Sequence, residues 1–121
     1  MSNSDDKCLD PAALARLHQL GGPKFVREMV ALFLDYAPKR ITEAFAAQRA
    51  GDRLGIAKAV HPLRSGGGHV GAYDLRDLAA RIEQLADGGT VEDLAPLLSE
   101  LETTLAQVRV QLEKEMERLS P

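Results

Sequence analysis

Leu94, Leu98, Leu101, Leu105, Val108 and Leu112 recur at intervals of 4, 3, 4, 3 and 4 residues. That spacing lays an apolar seam along one side of a long helix, and such a seam has to be covered by other helices. A second copy of the chain could cover it, but packing inside the same bundle is the simpler account. Earlier segments repeat the pattern. Val26, Met29, Val30, Phe33 and Ala37 form one apolar face, continued by Ile41, Ala44, Phe45 and Gln48. Ile56, Val60, Leu63, Gly67 and Val70 form another, and Leu75, Leu78, Ala79, Ile82 and Leu85 a third. The chain is 45% hydrophobic but only 4% aromatic, and its β-branched residues never alternate over the length of a strand. The fold class is therefore all-α.

Local punctuation sets the boundaries. Asp10 caps a short first helix with Pro11 in its first turn, Leu14 and Leu17 on its inner face and Gly21-Gly22 as its stop. Pro23 opens a long element, 23–50, with a break near Pro38 and a new start capped by Asp35. Gly51-Asp52 turns into a helix over 52–71 that ends at Gly71, and the next runs 73–86 to the stop Asp87-Gly88-Gly89. The last helix, 93–118, starts at Asp93, which places Pro96 in the first turn. Thr90 with Asp93 offers a competing capping box. Its charged tail is expected to protrude. Short turns force antiparallel neighbours. The expectation is an antiparallel up-down four-helix bundle with a short additional N-terminal helix. A chain of 121 residues suits one domain, here 9–119 behind a flexible tail, 1–8. The methionine start and the absence of an attached domain suggest a freestanding chain, with monomer the default.

Several function classes are disfavoured. The net charge is −3 and no Lys/Arg stripe forms, so nucleic acid is not an expected partner. No apolar run approaches the ~20 residues of a membrane span, and no signal-peptide core is present. Cys8, the single cysteine, cannot form an internal disulfide; it reads as an incidental thiol in a polar tail and suits a reducing compartment. The expected location is cytoplasmic. His18 reads as a surface histidine, and Phe25, Phe33 and Phe45 as core.

The stretch 59–72, Ala-Val-His-Pro-Leu-Arg-Ser-Gly-Gly-Gly-His-Val-Gly-Ala, breaks local helix rules while keeping the helical period. On a wheel of ~100° per residue, His61 lies ~140° from the centre of the apolar face, so its ring points to solvent. Ala57, Arg64, Ser65 and Gly68 share that side, which leaves the ring bare on three sides and Arg64 as its only nearby charge. No Asp or Glu lies three or four residues away to orient the ring. An exposed imidazole is largely neutral at pH 7, which leaves one ring nitrogen as a nucleophile. Arg64 suits a phosphoryl group through charge-assisted hydrogen bonds. His61 and His69 are ~12 Å apart along a helix, too far to share a metal, and Gly66-Gly67-Gly68 has neither the spacing nor the preceding strand of a phosphate loop.

These residues carry a resemblance. His61-Pro62-Leu63-Arg64-Ser65-Gly66, then Val70-Gly71-Ala72, then Leu75, Leu78 and Ile82-Glu83 resemble the histidine-containing phosphotransfer (HPt) domain of two-component phosphorelays. Leu9-Asp10-Pro11, the run from Leu17 through Gly22-Pro23-Lys24-Phe25-Val26, Leu32-Phe33-Leu34 and Ala50-Gly51-Asp52 resemble the family's upstream segments. The resemblance covers about residues 9–115. It implies that His61 takes a phosphoryl group from a receiver-domain aspartate and passes it to another. Arg64 stands at the family's usual lysine and would neutralise the phosphoryl group. Ser65 and Gly68, with Ala57 and His69 beside them, would form the docking face. Ser65 replaces the usual glycine, and Gly66 and Gly67 replace commoner Ser or Ala. The implied partners are receiver domains of a hybrid histidine kinase and of a response regulator. No cofactor is implied, since Mg²⁺ belongs to the receiver, and no ATP site or autokinase activity. A helical adaptor that binds receivers without transferring phosphate is the alternative. A small hydrolase or metalloenzyme lacks a ligand set.

Overall fold

The computed structural model describes residues 8–119. Among them are five helical runs and no strand: α1 (Pro11–Arg49), α2 (Arg53–Val60), α3 (Pro62–Val70), α4 (Tyr73–Ala86) and α5 (Val91–Leu119). Asp10 caps α1 by accepting the Ala12 N–H at 3.0 Å. Gly22, at φ 78° and ψ −175°, interrupts α1 and divides a short leading stretch, 11–21, from the long one, 23–49. Residues 1–7 of the expected tail lie outside the described residues. Cys8, expected in that tail, is half-buried against the core, and Leu9 belongs to the core.

The expected break at Pro38 does not occur. Proline removes the N–H that would bond the carbonyl four residues back, that of Leu34. Arg109 of α5 donates Nη2 to this carbonyl at 3.3 Å, so the helix continues with the vacated acceptor satisfied. Asp35 caps nothing; it sits inside the helix, paired with Lys39 at 3.5 Å. Pro62 does interrupt its helix. The expected element 52–71 is two runs meeting at His61, whose dihedrals stay helical at φ −51° and ψ −47°. Asp52 caps α2 through the Gly55 N–H at 2.9 Å.

The start of α5 also differs from the expectation. Thr90 and Asp93 form a reciprocal capping box, each side chain accepting the other's N–H at 3.1 Å, and the helix begins at Val91. Two satisfied backbone donors outweigh the convenience of placing Pro96 in the first turn. The tail of α5 does not protrude freely: Met116 and Leu119 pack against the core, and Arg27 reaches the Leu119 carbonyl at 3.4 Å.

The α5 seam is wholly internal, with Leu94, Leu98, Leu101, Leu105, Val108 and Leu112 all buried. Each such side chain contributes about 1.5–3 kcal/mol of burial. The long part of α1 packs against α2, α3 and α5, and α4 packs against the same three, closing an antiparallel four-helix bundle. Ala13, Leu14 and Leu17 dock the leading stretch on this core. Leu85, expected on the inner face of α4, is 39% exposed; Ala86, four residues after Ile82, takes that place. Phe33 is in the core, whereas Phe25 and Phe45 pack on it half-buried.

Tyr36 meets Phe33 edge to face, with centroids 5.7 Å apart, and its hydroxyl lies against Gly66 of α3. Burial pushes the Tyr36 phenol above its ordinary value of 10.0, opposed by the Arg40 charge. The folded state therefore favours the neutral phenol. This contribution is complete below the unfolded value near 10 and is lost as pH rises through the higher folded value. Tyr36→Phe is expected to flatten the loss of stability above about pH 10, read from urea melts on either side of that pH.

Candidate functional site

His61 ends α2. Its N–H bonds the Ala57 carbonyl at 3.1 Å, and the next residue, Pro62, has no N–H to continue the ladder. Ile56, Val60, Leu63 and Val70 are buried on the inner side, so the ring turns outward with 67% of the side chain exposed. The outward placement matches the wheel.

The sequence reading found no acid to orient that ring. α4 supplies one. Glu83 follows the buried Ile82 and lies at the edge of the inner stripe, facing the α2–α3 junction. Its Oε1 is 3.0 Å from His61 Nδ1, and its Oε2 accepts from Arg64 Nη1 at 3.3 Å. One carboxylate, 21% exposed, thus holds both residues. An ionised carboxylate only accepts, so this bond places the imidazole proton on Nδ1. In the neutral ring Nε2 then keeps the lone pair, on a side chain that is 67% exposed. Glu83 is 22 positions from His61, and no helical spacing joins them. The only signal was its place beside Ile82 in the resemblance, where it carried no assigned role.

Two open grooves flank the ring. One, of about 470 Å³, is lined by His61, Arg64 and Ser65 on one side and by Arg76, Asp77 and Ala80 of α4 on the other. The second, of about 400 Å³, is lined by His61, Ala57, Lys58 and Pro62, by Arg40 of α1 and by Glu83. Arg64 is therefore not the only charge near His61. Arg40, Lys58 and Arg76 join it from three helices, and the two acids, Glu83 and Asp77, are each bonded to an arginine. Single-helix geometry showed only the residues of its own face.

Of the residues expected on the docking face, Ser65 and Ala57 line one groove each. Gly68 and His69 line neither: Gly68 is half-buried beside Arg76 Cδ, and His69 is exposed elsewhere on α3. Of the three glycines, the helical period puts Gly68 on the His61 side and Gly67 on the apolar face. Gly66 and Gly67 face inward and are buried. A Cβ on Gly66 would overlap the Tyr36 hydroxyl, and one on Gly67 would lie 3.1 Å from the Ala72 carbonyl and 3.2 Å from the Arg76 nitrogen. They are the points where α3 approaches α1 and the start of α4. Among the described residues, no group of three or more His, Cys, Asp or Glu side chains could hold a metal ion. No described helix is long and apolar enough to cross a membrane.

The family model for the Hpt domain matches residues 28–119. The chain belongs to the Hpt domain family. Hpt domains are phosphocarrier modules of phosphorelays rather than kinases, and receiver domains are their partners. Two solved Hpt structures have the same fold. Histidine-containing phosphotransfer protein B (HptB) from Pseudomonas aeruginosa PAO1 superposes with a TM-score of 0.85 at 24% identity, covering 91% of this chain and 95% of its own. The HPT domain of an Hpt sensor hybrid histidine kinase from Shewanella gives 0.80 at 22% identity, covering 95% and 98%. A comparison with curated proteins gives no match.

Proposed function

We propose that His61 is the phosphoryl carrier of this Hpt domain, loaded from a receiver-domain aspartate and discharged to the aspartate of a second receiver. The observation that carries this reading is the Glu83 carboxylate on Nδ1, which in the neutral ring leaves the lone pair on Nε2. In the loading step Nε2 attacks the phosphorus of the aspartyl phosphate. The N–P bond forms as the bond from phosphorus to the aspartyl oxygen breaks, and the aspartate leaves as a carboxylate. The Nδ1 proton stays on the ring, and Glu83 offsets the positive charge that develops there. Discharge is the same step reversed onto another receiver. Arg64, steadied by Glu83, supplies a cation beside the transferring group. The hybrid kinase and the response regulator supply the receivers, and Mg²⁺ belongs to them. The domain carries phosphate in the cytoplasm without an ATP site or kinase activity of its own.

Profiling phosphotransfer from each phosphorylated receiver of the source organism tests the proposal. Transfer of label onto the chain supports it; stable binding without label would make the chain an adaptor. Glu83 has its own expected result. Glu83→Ala slows loading about tenfold, the kinetic equivalent of a charge-assisted hydrogen bond worth roughly 1.5 kcal/mol. Glu83→Gln loses less, because the amide oxygen still accepts from Nδ1. Rapid-quench loading curves check both, and equal rates for wild type and Glu83→Ala would remove Glu83 from the mechanism.

A further inference from the structure

The groove between α3 and α4 contains an arginine for which the transfer chemistry has no use. Arg76 lies across from His61, Arg64 and Ser65. Its guanidinium stacks on the Tyr73 ring with Cζ 4.5 Å from the centroid, and its Nε donates to Asp77 Oδ1 at 2.9 Å. The Tyr73 hydroxyl in turn accepts from Arg16 Nη2 of the leading stretch at 2.9 Å. One face and one edge of the guanidinium are thereby fixed, while its two terminal nitrogens bond no described residue.

We propose that Arg76 is a specificity-determining docking residue, whose free edge takes a carboxylate on the rim of the receiver domain seated over His61. The inference rests on the phosphotransfer reading above. Position decides the role. The Arg76 Cδ passes beside Gly68, seven residues beyond His61, where an added Cβ would lie 3.6 Å from it. The fork is held on Tyr73 and Asp77 and not in the Glu83–His61–Arg64 cluster, which puts it at the edge of the transfer site and inside the footprint of a docked domain, roughly 800 Å² on each partner. A planar fork with two unused donors matches a carboxylate. Stacking on Tyr73 holds the fork in place before the partner arrives, which lowers the ordering cost of docking. The groove is lined by two arginines against one aspartate, which favours an anionic partner surface over a cationic one.

The test uses the full chain and a receiver that loads the wild type, phosphorylated with a small acyl phosphate. Transfer rate is followed against receiver concentration at low and high salt. Arg76→Ala is expected to raise the half-saturating receiver concentration about five- to tenfold at low salt, leave the maximal rate within about twofold, and flatten the salt dependence. Arg76→Lys recovers part of the loss. Arg81→Ala removes the same charge outside this groove and changes neither quantity. An unchanged half-saturation in Arg76→Ala, a fall confined to the maximal rate, or an equal effect from Arg81→Ala overturns the assignment while leaving phosphotransfer standing. A wild type that takes no label from any receiver overturns both.

Discussion

His61→Gln is expected to take no label from a phosphorylated receiver domain that loads the wild type, and to melt as the wild type does. Both halves of this result follow from where the side chain sits. The imidazole is 67% exposed and none of its atoms belongs to the core, so its removal leaves the packing of Ile56, Val60 and Leu63 intact. Exposed substitutions of this kind change stability by about 0.5 kcal/mol or less. The Glu83–Arg64 pair also survives, because Oε2 does not depend on the ring. Only the nucleophile is gone, since a neutral amide nitrogen has no lone pair available to attack phosphorus. The measurement is radiolabel on the two proteins side by side. A phosphoramidate is lost in acid and kept in alkali, which separates it from a phosphoester. Equal label on wild type and His61→Gln would reject the assignment.

Gly71→Ala is expected to destabilise the domain by about 3 kcal/mol and to lower its melting temperature by roughly 10 °C. Gly71 has φ 82° at the C-terminus of α3, a left-handed conformation that costs a residue with a Cβ about 1–2 kcal/mol. Space is a second, independent obstacle. A Cβ at Gly71 would lie 2.7 Å from the Asp10 carbonyl oxygen and 2.8 Å from Ala13 Cβ. Overpacking against backbone adds about 1–3 kcal/mol. The same turn is tied to the N-terminal segment, the Asp10 N–H donating to the Gly71 carbonyl at 2.9 Å. Thermal and urea unfolding followed by circular dichroism check this. A change within experimental error would show that the turn has another conformation available.

Much of the bundle was legible because helix-forming information is local. The seam from Leu94 to Leu112, the caps at Asp10 and Asp52 and the stops at Gly22 and Gly71 all depend on neighbours within a turn or two. The readings that failed depended on distant partners. Pro38 looked like a break because the Arg109 side chain that satisfies the Leu34 carbonyl lies 75 positions away from it. Leu85 looked internal because a wheel cannot tell which of two adjacent edges the neighbouring helix covers. The period put Gly67 on the inner face, but what Gly66 and Gly67 pack against, Tyr36, Ala72 and Arg76, comes from other segments.

The amino-acid sequence by itself determined that the chain is a helical bundle and that His61 stands on an outer face with Arg64 one turn away. Those are properties of a single helix, set by a period of 3.6 residues. Only the tertiary structure decided what surrounds the histidine. The packing of α4 against the α2–α3 junction brings Glu83 within 3.0 Å of Nδ1, which in the neutral ring favours the proton there and the lone pair on Nε2. The same packing opens the groove in which Arg76 faces His61. The surroundings of His61 and of Arg76 come from side chains on different helices, and their separation in space is fixed when the helices pack.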